Sequence, residues 1–192
     1  EAVQLIRTML RDQPATFAGS RFTVSDAPNL PRPVQSDLPV WVSGSGPGVM
    51  QVAARLGSGW HLAGRIRPAG YAAQVRRLEQ VCREQGRDPA DLGRSVGLVA
   101  LVGENHRDLE RRFRSWRLQA SWTEDVENVD DVAHLGLIGT VEQVVEQIEE
   151  FRSAGATDLV IGFSPAPFGW SSIAGSDIVS ERVLPALREA TG

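Results

Sequence analysis

The chain has 192 residues, of which 42% are hydrophobic and 23% charged, a balance that allows one domain with a buried core and gives no sign of disorder. Its formal net charge is −4 and its basic residues never run beyond a pair, so we expect neither a nucleic acid nor a membrane as partner. With a single cysteine and no apolar run near the ~20 residues of a membrane span, we expect the protein in a reducing cytoplasm.

The first forty residues predict a helix, a hairpin and a loop. Residues 1–11 place apolar side chains on one helical face, and Pro14 ends that helix. A turn at Ala18 and Gly19 between two short extended segments indicates a small surface hairpin, and the prolines of residues 26–33 make that stretch a loop. Because the helical pattern is already under way at residue 1, without an initiator Met or a signal peptide, we expect a piece that begins within a domain.

The most informative segment is residues 38–60, L-P-V-W-V-S-G-S-G-P-G-V-M-Q-V-A-A-R-L-G-S-G-W. An apolar strand at residues 39–43 ends in a Gly-Ser loop, which opens into an amphipathic helix at residues 47–56 that Gly57 terminates. A helix N-terminus carries unpaired N–H groups and partial positive charge, and glycines let an anion come close to them. The segment therefore predicts a phosphate site, with a cofactor as the source of the phosphate.

Strands and helices alternate along the rest of the chain. The predicted strands are residues 60–63, 96–102 and 158–163. The predicted helices are residues 71–85, residues 108–118, a helix opened by a capping box from Thr140 to Gln143, and residues 178–188, bent or interrupted at Pro185. The acidic residues 121–131 are expected to lie on the surface.

Four strands that alternate with helices predict an α/β fold with a parallel sheet. Two closures fit: a doubly wound open sheet, and an eight-stranded barrel of which this chain is the second half. A dinucleotide-binding sheet is disfavoured because Gly44, Gly46 and Gly48 form G-x-G-x-G and not G-x-G-x-x-G. It is disfavoured further because the next strand ends at Gly64 without a carboxylate for a ribose.

Seven short motifs follow one another along nearly the whole chain. They are F-A-G-S-R-F at residues 17–22, P-V-W-V-S-G-S-G-P at 39–47, A-A-R-L-G-S-G-W at 53–60, G-R-D-P at 86–89, G-T at 139–140, F-R-S-A-G at 151–155 and V-L-P at 183–185. Together they resemble the C-terminal half of the bacterial luciferase-like flavin and deazaflavin oxidoreductases. The resemblance implies a partial (β/α)8 TIM barrel, with strands five to eight and their helices in residues 1–192 and the N-terminal half absent.

The same resemblance implies a cofactor, either FMN or coenzyme F420, at the C-terminal ends of the strands. Its phosphate would bind backbone N–H groups, which glycines leave accessible. The residues that match the family's phosphate site are Ser43, Gly44, Ser45 and Gly46 in the loop after strand five, and Ala63 and Gly64 at the end of strand six. Ala63 has no side-chain donor, so its contact is expected through the backbone.

Four residues are candidates for contact with a small-molecule substrate: His61, Arg65, Phe168 and Trp170. His61 faces the cofactor or is a hydrogen-bonded core residue. Arg65, like Arg67, binds an anionic substrate or the cofactor tail, or is a solvated loop arginine. Phe168 and Trp170 form a wall of the substrate pocket or cover the barrel end.

Some positions are expected to be structural. The family has Asp-Gly-Trp where this chain has Ser58-Gly59-Trp60, and we expect Trp60 in the core or the barrel wall. His106 and His134 lack the spacing of metal ligands, and no metal is predicted.

The expected function is that of an oxidoreductase, with F420-dependent hydride transfer to or from a small organic substrate as the first interpretation. The alternatives are an FMN-dependent monooxygenase supplied with reduced flavin by a partner reductase, and a non-catalytic half-barrel that binds cofactor or assembles with a second half. No catalytic residue is assigned, since the family's come from the first four strands and all 20 basic residues here are arginine. We expect the chain alone to be inactive, and to form a homo-oligomer or pair with an N-terminal half.

Overall fold

The computed structural model describes residues 1–119, 121–165 and 175–191, which form two compact units. The first unit comprises Glu1–His61 and Leu78–Gly93, and the second comprises Leu62–Arg77 and Arg94–Gly192. The strands are β1 Ala15–Ala18, β2 Thr23–Ala27, β3 Trp41–Ser43, β4 Gly59–Ala63, β5 Gly93–Gly103, β6 Leu137–Thr140 and β7 Asp158–Gly162. The α-helices are α1 Ala2–Arg11, α2 Pro47–Leu56, α3 Pro68–Glu84, α4 His106–Trp116, α5 Ser121–Glu124, α6 Val141–Ser153, α7 Ser176–Ile178 and α8 Leu184–Thr191.

In the first unit, the strands form two pairs, and Trp41 lies on one of them. Strands β1 and β2 pair antiparallel, which confirms the predicted hairpin, and β3 and β4 pair in parallel with Ser43 opposite His61. The ring of Trp41 on β3 covers the Cα atoms of Gly59 and Gly93, so a methyl group on either glycine would overlap the ring. Gly59, the second glycine of the G-S-G-W motif, is therefore needed so that the Trp41 ring can pack against the backbone.

Arg87 of the G-R-D-P motif caps the C-terminus of α2, a helix that ends about thirty residues earlier in the sequence. Arg87 Nη1 donates to the backbone carbonyls of Ala53, Ala54 and Gly57 at 3.4, 3.1 and 2.7 Å, and Nη2 donates to the Asp91 carbonyl at 2.7 Å. The last carbonyls of a helix lack intrahelical partners and carry partial negative charge, so a guanidinium satisfies both needs. The motif is thus a helix cap supplied from a distant part of the sequence.

In the second unit, β5 is the central strand. Its first half pairs in parallel with β7, from Ser95 opposite Asp158, and its second half pairs in parallel with β6, from Ala100 opposite Leu137. The nearly continuous apolar run of β5 is typical of a strand inside a parallel sheet. Strand β6 was not predicted, because four residues that include a glycine carry too short a pattern and become a strand only by pairing with β5.

The expectation that residues 121–131 lie on the surface is only partly correct. Their carboxylates are exposed, but Thr123 and Val129 are buried. A hydrophobic cluster of the second unit includes Val129 together with Phe113 and Trp116, and the ring of Trp122 meets that of Trp116 edge to face at 5.7 Å. Apolar residues spaced among the acids therefore anchor this segment, and a count of charges misses them.

The predicted helix boundaries are largely confirmed. Thr140 and Gln143 form the capping box of α6, and Tyr71 of α3 packs edge to face on Phe151 of α6 with ring centroids 6.0 Å apart. The predicted interruption at Pro185 is also present, as a π-helix at Val179–Val183 that precedes α8. Proline lacks the N–H that continues a regular α-helix, and a local change of helix type accommodates it.

The α/β class and the parallel pairing of the strands are confirmed by both units. Over the part of the chain that the structure describes, no helix combines the length and the apolar character needed to cross a membrane.

Candidate functional site

The turn between β3 and α2, in the first unit, presents backbone N–H groups in the arrangement of an anion-binding site. Gly44 has a φ of 133° and donates its N–H to the His61 carbonyl at 3.1 Å, so the chain leaves the sheet there. Gly46 is the N-cap of α2, no side chain caps this terminus, and the first helical bond runs from Met50 N–H to the Gly46 carbonyl at 3.0 Å. The N–H groups of Gly48 and Val49 precede that bond and have no partner within the helix.

The space in front of this turn is open. A Cβ atom added at Gly46 or Gly48 would meet no heavy atom of the described residues within 4 Å, and Ser43 and Ser45 are exposed. A Cβ at Gly44 would instead lie 3.3 Å from Val49 Cγ1, on a backbone that L-residues rarely adopt. The predicted residues Ser43, Gly44, Ser45 and Gly46 therefore form one turn with accessible backbone donors.

Trp60 forms a hydrogen bond to the β3–α2 turn from the protein interior. Its side chain is fully buried, as predicted, and the indole Nε1–H donates to the Gly44 carbonyl at 2.7 Å. The prediction of a core residue is confirmed, but the bond to the loop joins residues sixteen apart and has no local signal in the sequence.

The end of β4 lies in the second unit and has a similar backbone turn. Ala63 and Gly64 are exposed, Gly64 has a φ of 140°, and its N–H donates to the Gly97 carbonyl at 3.2 Å. A Cβ at Gly64 would meet no heavy atom of the described residues within 4 Å. As at Gly44, a glycine with positive φ turns the chain away from a strand end.

An open cavity of about 550 Å³ lies at this strand end, within the second unit. It is lined by Gly64, Arg65, Gly97, Val99, Ser121, Trp122, Ser164 and Pro165. The guanidinium carbon of Arg65 lies 4.7 Å from the ring centre of Trp122, and Trp122 Nε1–H donates to the Pro165 carbonyl at 2.9 Å. Sequence reasoning missed Trp122 because it lies in the segment expected to be a solvated acidic surface.

The other candidates have different surroundings. His61 is half-buried and its carbonyl accepts the Gly44 N–H. Arg67 does not line the cavity of Arg65 but a second one, with His134 and Asp130. Phe168 and Trp170 lie outside the described residues. His106 pairs with Glu110 at 3.3 Å on the surface of α4.

Comparison with known proteins decides the family. The family model described as luciferase-like monooxygenase matches residues 1–158. The chain belongs to the luciferase-like monooxygenase family. This luciferase-like chain is 26% identical over 196 residues to the F420-dependent hydroxymycolic acid dehydrogenase of Mycobacterium tuberculosis, a match that covers 98% of the chain and 53% of the relative.

Two solved structures resemble its fold. The coenzyme F420-dependent tetrahydromethanopterin reductase of Methanopyrus kandleri is 19% identical with a TM-score of 0.73, over 96% of this luciferase-like chain and 61% of that one. A long-chain alkane monooxygenase is 16% identical with a TM-score of 0.70, over 92% and 46%. These likenesses favour the barrel over the doubly wound sheet, so the fold is a partial (β/α)8 barrel. The chain spans about half the length of the curated relatives it matches.

Proposed function

We propose that residues 1–192 are the C-terminal half of a luciferase-like oxidoreductase. This half contributes barrel strands five to eight and the binding site for the cofactor phosphate. The observation that carries this proposal is the uncapped N-terminus of α2, approached by glycines that leave its N–H groups open. A phosphate dianion or diester offers acceptor oxygens to several such donors at once, and the positive end of the helix dipole favours it. In the second unit, the exposed backbone at Ala63 and Gly64 is a further candidate for contact with a cofactor.

The cofactor supplies the redox chemistry, and the residues of this chain bind and orient it. F420 is the first choice, because relatives matched over most of the chain are named F420-dependent dehydrogenases. On this proposal the intact enzyme transfers hydride to or from a small organic substrate in the cytoplasm. His61 and the cavity beside Arg65 are then substrate contacts, with Phe168 and Trp170 as further candidates. Without an N-terminal half, the chain is inactive.

The phosphate role is tested by comparing FMN with riboflavin, which differ only in the phosphate. Gly46→Val in the intact protein fills the open space with a side chain, and the φ of −70° at Gly46 makes valine conformationally acceptable there. The expected result is a loss of about tenfold or more in FMN affinity with riboflavin affinity nearly unchanged, as for a lost set of charge-assisted hydrogen bonds. Gly86→Ala is the control, since Gly86 lies in the same unit, has positive φ and faces open space.

An equal effect of Gly46→Val on FMN and riboflavin affinity, or unchanged affinity for both FMN and F420, removes the turn from the phosphate site. A titration with F420 beside FMN then decides between the two cofactors. Tighter binding of FMN favours the second candidate, an FMN-dependent monooxygenase, which has support from the fold likeness to the long-chain alkane monooxygenase.

A third candidate is a non-catalytic half-barrel that associates with a second half or with another copy. Within its unit, β7 pairs only with β5 among the described strands, and Val160 on β7 is 56% exposed. An exposed strand edge of this kind favours association. The reading frame upstream of residue 1 is the test: sequence for strands one to four supports the oxidoreductase, and a stop codon without such sequence supports the assembly protein.

A further inference from the structure

The C-terminus of α2 is bound by two arginines from distant parts of the first unit. Arg87 donates to three carbonyls of residues 53–57 at distances from 2.7 to 3.4 Å. Arg7 of α1 donates from Nη1 to the Leu56 carbonyl at 2.9 Å, across 49 positions of the sequence. Together the two guanidiniums bind four of the five carbonyls of residues 53–57, three through Arg87 and one through Arg7. A helix end that would otherwise present unpaired carbonyls is therefore almost fully satisfied by side chains.

Neither of these arginines is neutralised by a carboxylate. None of the ion pairs between described residues involves Arg7 or Arg87, and both side chains are partly buried. Arg83, an exposed arginine of the same unit, instead pairs with Glu79 at 3.2 Å along α3. The donors of a guanidinium are fixed in one plane, which lets a single side chain reach several carbonyls. Arg7 and Arg87 therefore direct their hydrogen bonds to main-chain carbonyls and not to ion pairs.

The two ends of α2 are completed in opposite ways. The N-terminus has no side-chain cap, so the N–H groups of Gly48 and Val49 stay unpaired within the helix. A missing N-cap side chain lowers the stability of a helix, and cationic donors at the C-terminus offset that loss. Side chains thus attach the helix at its far end and leave the end suited to an anion open.

The arginines affect the N-terminus through the position of the helix more than through their charge. A helix of ten residues is about 15 Å long, whereas the Debye length at physiological salt is about 8 Å. A charge at the C-terminus is therefore largely screened at the N-terminus. A displaced helix axis, in contrast, moves the first N–H groups with it, and hydrogen bonds weaken steeply when their distance and angle change.

We propose that Arg7 and Arg87 are positioning residues for the cofactor phosphate, because they fix the direction of the helix that presents its N-terminus to it. This inference rests on the proposed phosphate site at the β3–α2 turn. Neither arginine contacts the phosphate itself, and both act through α2. Arg87 is the stronger of the two, since it binds three carbonyls where Arg7 binds one.

The first experiment measures FMN and riboflavin affinity of the intact protein with Arg87→Gln and with Arg7→Gln. FMN affinity should fall about three- to tenfold for Arg87→Gln and about two- to threefold for Arg7→Gln, with riboflavin affinity within about twofold. Arg87→Lys keeps the charge but cannot span three carbonyls, so it should restore FMN affinity only in part. Full restoration by lysine would assign the effect to charge and overturn the positioning role. If Arg87→Gln does not fold, Arg7→Gln, which removes a single hydrogen bond, decides the question.

Two control variants separate positioning from a general loss of stability. Arg83→Gln removes an arginine of the same unit that pairs along α3, and should leave both affinities within about twofold. Trp41→Phe lowers the free energy of unfolding in the same unit and should leave the ratio of the two affinities unchanged. If Arg87→Gln loses stability in urea but keeps the FMN to riboflavin ratio, the arginines only stabilise the helix and the positioning role is wrong.

The second experiment observes the helix without any cofactor, through residual dipolar couplings of the amide N–H groups of residues 48–56. Arg87→Gln should change these couplings as a set, as expected for a reoriented axis, and Arg83→Gln should not. Changes confined to the last turn indicate local fraying and contradict the proposal. Gly46→Val distinguishes the two possible failures. If it leaves the FMN to riboflavin ratio unchanged, the phosphate site fails and the positioning role with it; if it lowers the ratio while both arginine variants keep it, only the positioning role fails.

Discussion

Replacing Trp60 with phenylalanine tests whether a buried indole orients the β3–α2 turn, which we propose to bind the cofactor phosphate. The Gly44 carbonyl accepts the Trp60 N–H at 2.7 Å, and it shares a planar trans peptide with the N–H of Ser45. In such a peptide the carbonyl and the N–H point in opposite directions. The bond that draws the carbonyl inward toward Trp60 therefore directs the Ser45 N–H away from the core, toward the open side of the turn. Trp60→Phe removes the donor and keeps an aromatic ring.

Two free energies are affected by this substitution. Loss of a buried hydrogen bond costs about 1–2 kcal/mol here, because the half-buried Gly44 can recruit water, and the smaller ring adds about 1 kcal/mol for the space left behind. The free energy of unfolding should therefore fall by about 2–3 kcal/mol. Loss of orientation at one phosphate donor should lower FMN affinity about three- to tenfold, whereas riboflavin affinity should change little.

The assay measures FMN and riboflavin affinity together with urea unfolding of the same variants, and amide hydrogen exchange at Ser45. Trp41→Phe is the matched control, since Trp41 also packs on glycines of the first unit but lies 40% exposed on β3. It should lower the free energy of unfolding without changing the ratio of the two affinities. A Trp60→Phe variant that loses stability while keeping the FMN to riboflavin ratio, with Ser45 exchange unchanged, would show that the indole only fills space.

Three further predictions concern stability. Arg87→Ala should lower the free energy of unfolding in urea by about 2–3 kcal/mol, and Arg87→Lys by about half as much, because an ammonium cannot span the same carbonyls; equal losses for both would contradict the cap. Burial raises the pKa of Tyr71 to about 12, so the stability from its neutral form is complete below pH 10 and is lost as the pH rises from about 10 to 12. Tyr71 is the single tyrosine, so near-ultraviolet tyrosinate absorbance checks this directly: a midpoint near 10 in the folded protein refutes it, and Tyr71→Phe should abolish the signal. Gly64→Ala should lower the free energy of unfolding by about 1–2 kcal/mol, since the added methyl group meets open space but a φ of 140° is strained for an L-residue; a neutral Gly64→Ala means that this turn is not strained.

Much of the local structure was predictable because its determinants lie within a few residues of one another. Proline at the first position and Gly57 at the end define α2, and the predicted bounds of that helix match the observed ones. The capping box of Thr140 and Gln143 is likewise a four-residue signal, and the turn at Ala18 and Gly19 predicts the hairpin. The β3–α2 turn belongs to this group, since its glycines and the helix that follows are consecutive in the sequence.

The remaining features depend on residues far apart in the sequence, and only tertiary packing brings them together. Strand β6 exists because β5 offers a partner, and Arg87 caps a helix that ends about thirty residues before it. The contact of Arg65 with Trp122 joins a strand end to a segment whose charges had suggested a simple surface. Short-range preferences therefore determined most of the elements and the position of the β3–α2 turn. Which side chain holds that turn, and which aromatic ring Arg65 meets, depended on long-range contacts that no local pattern encodes.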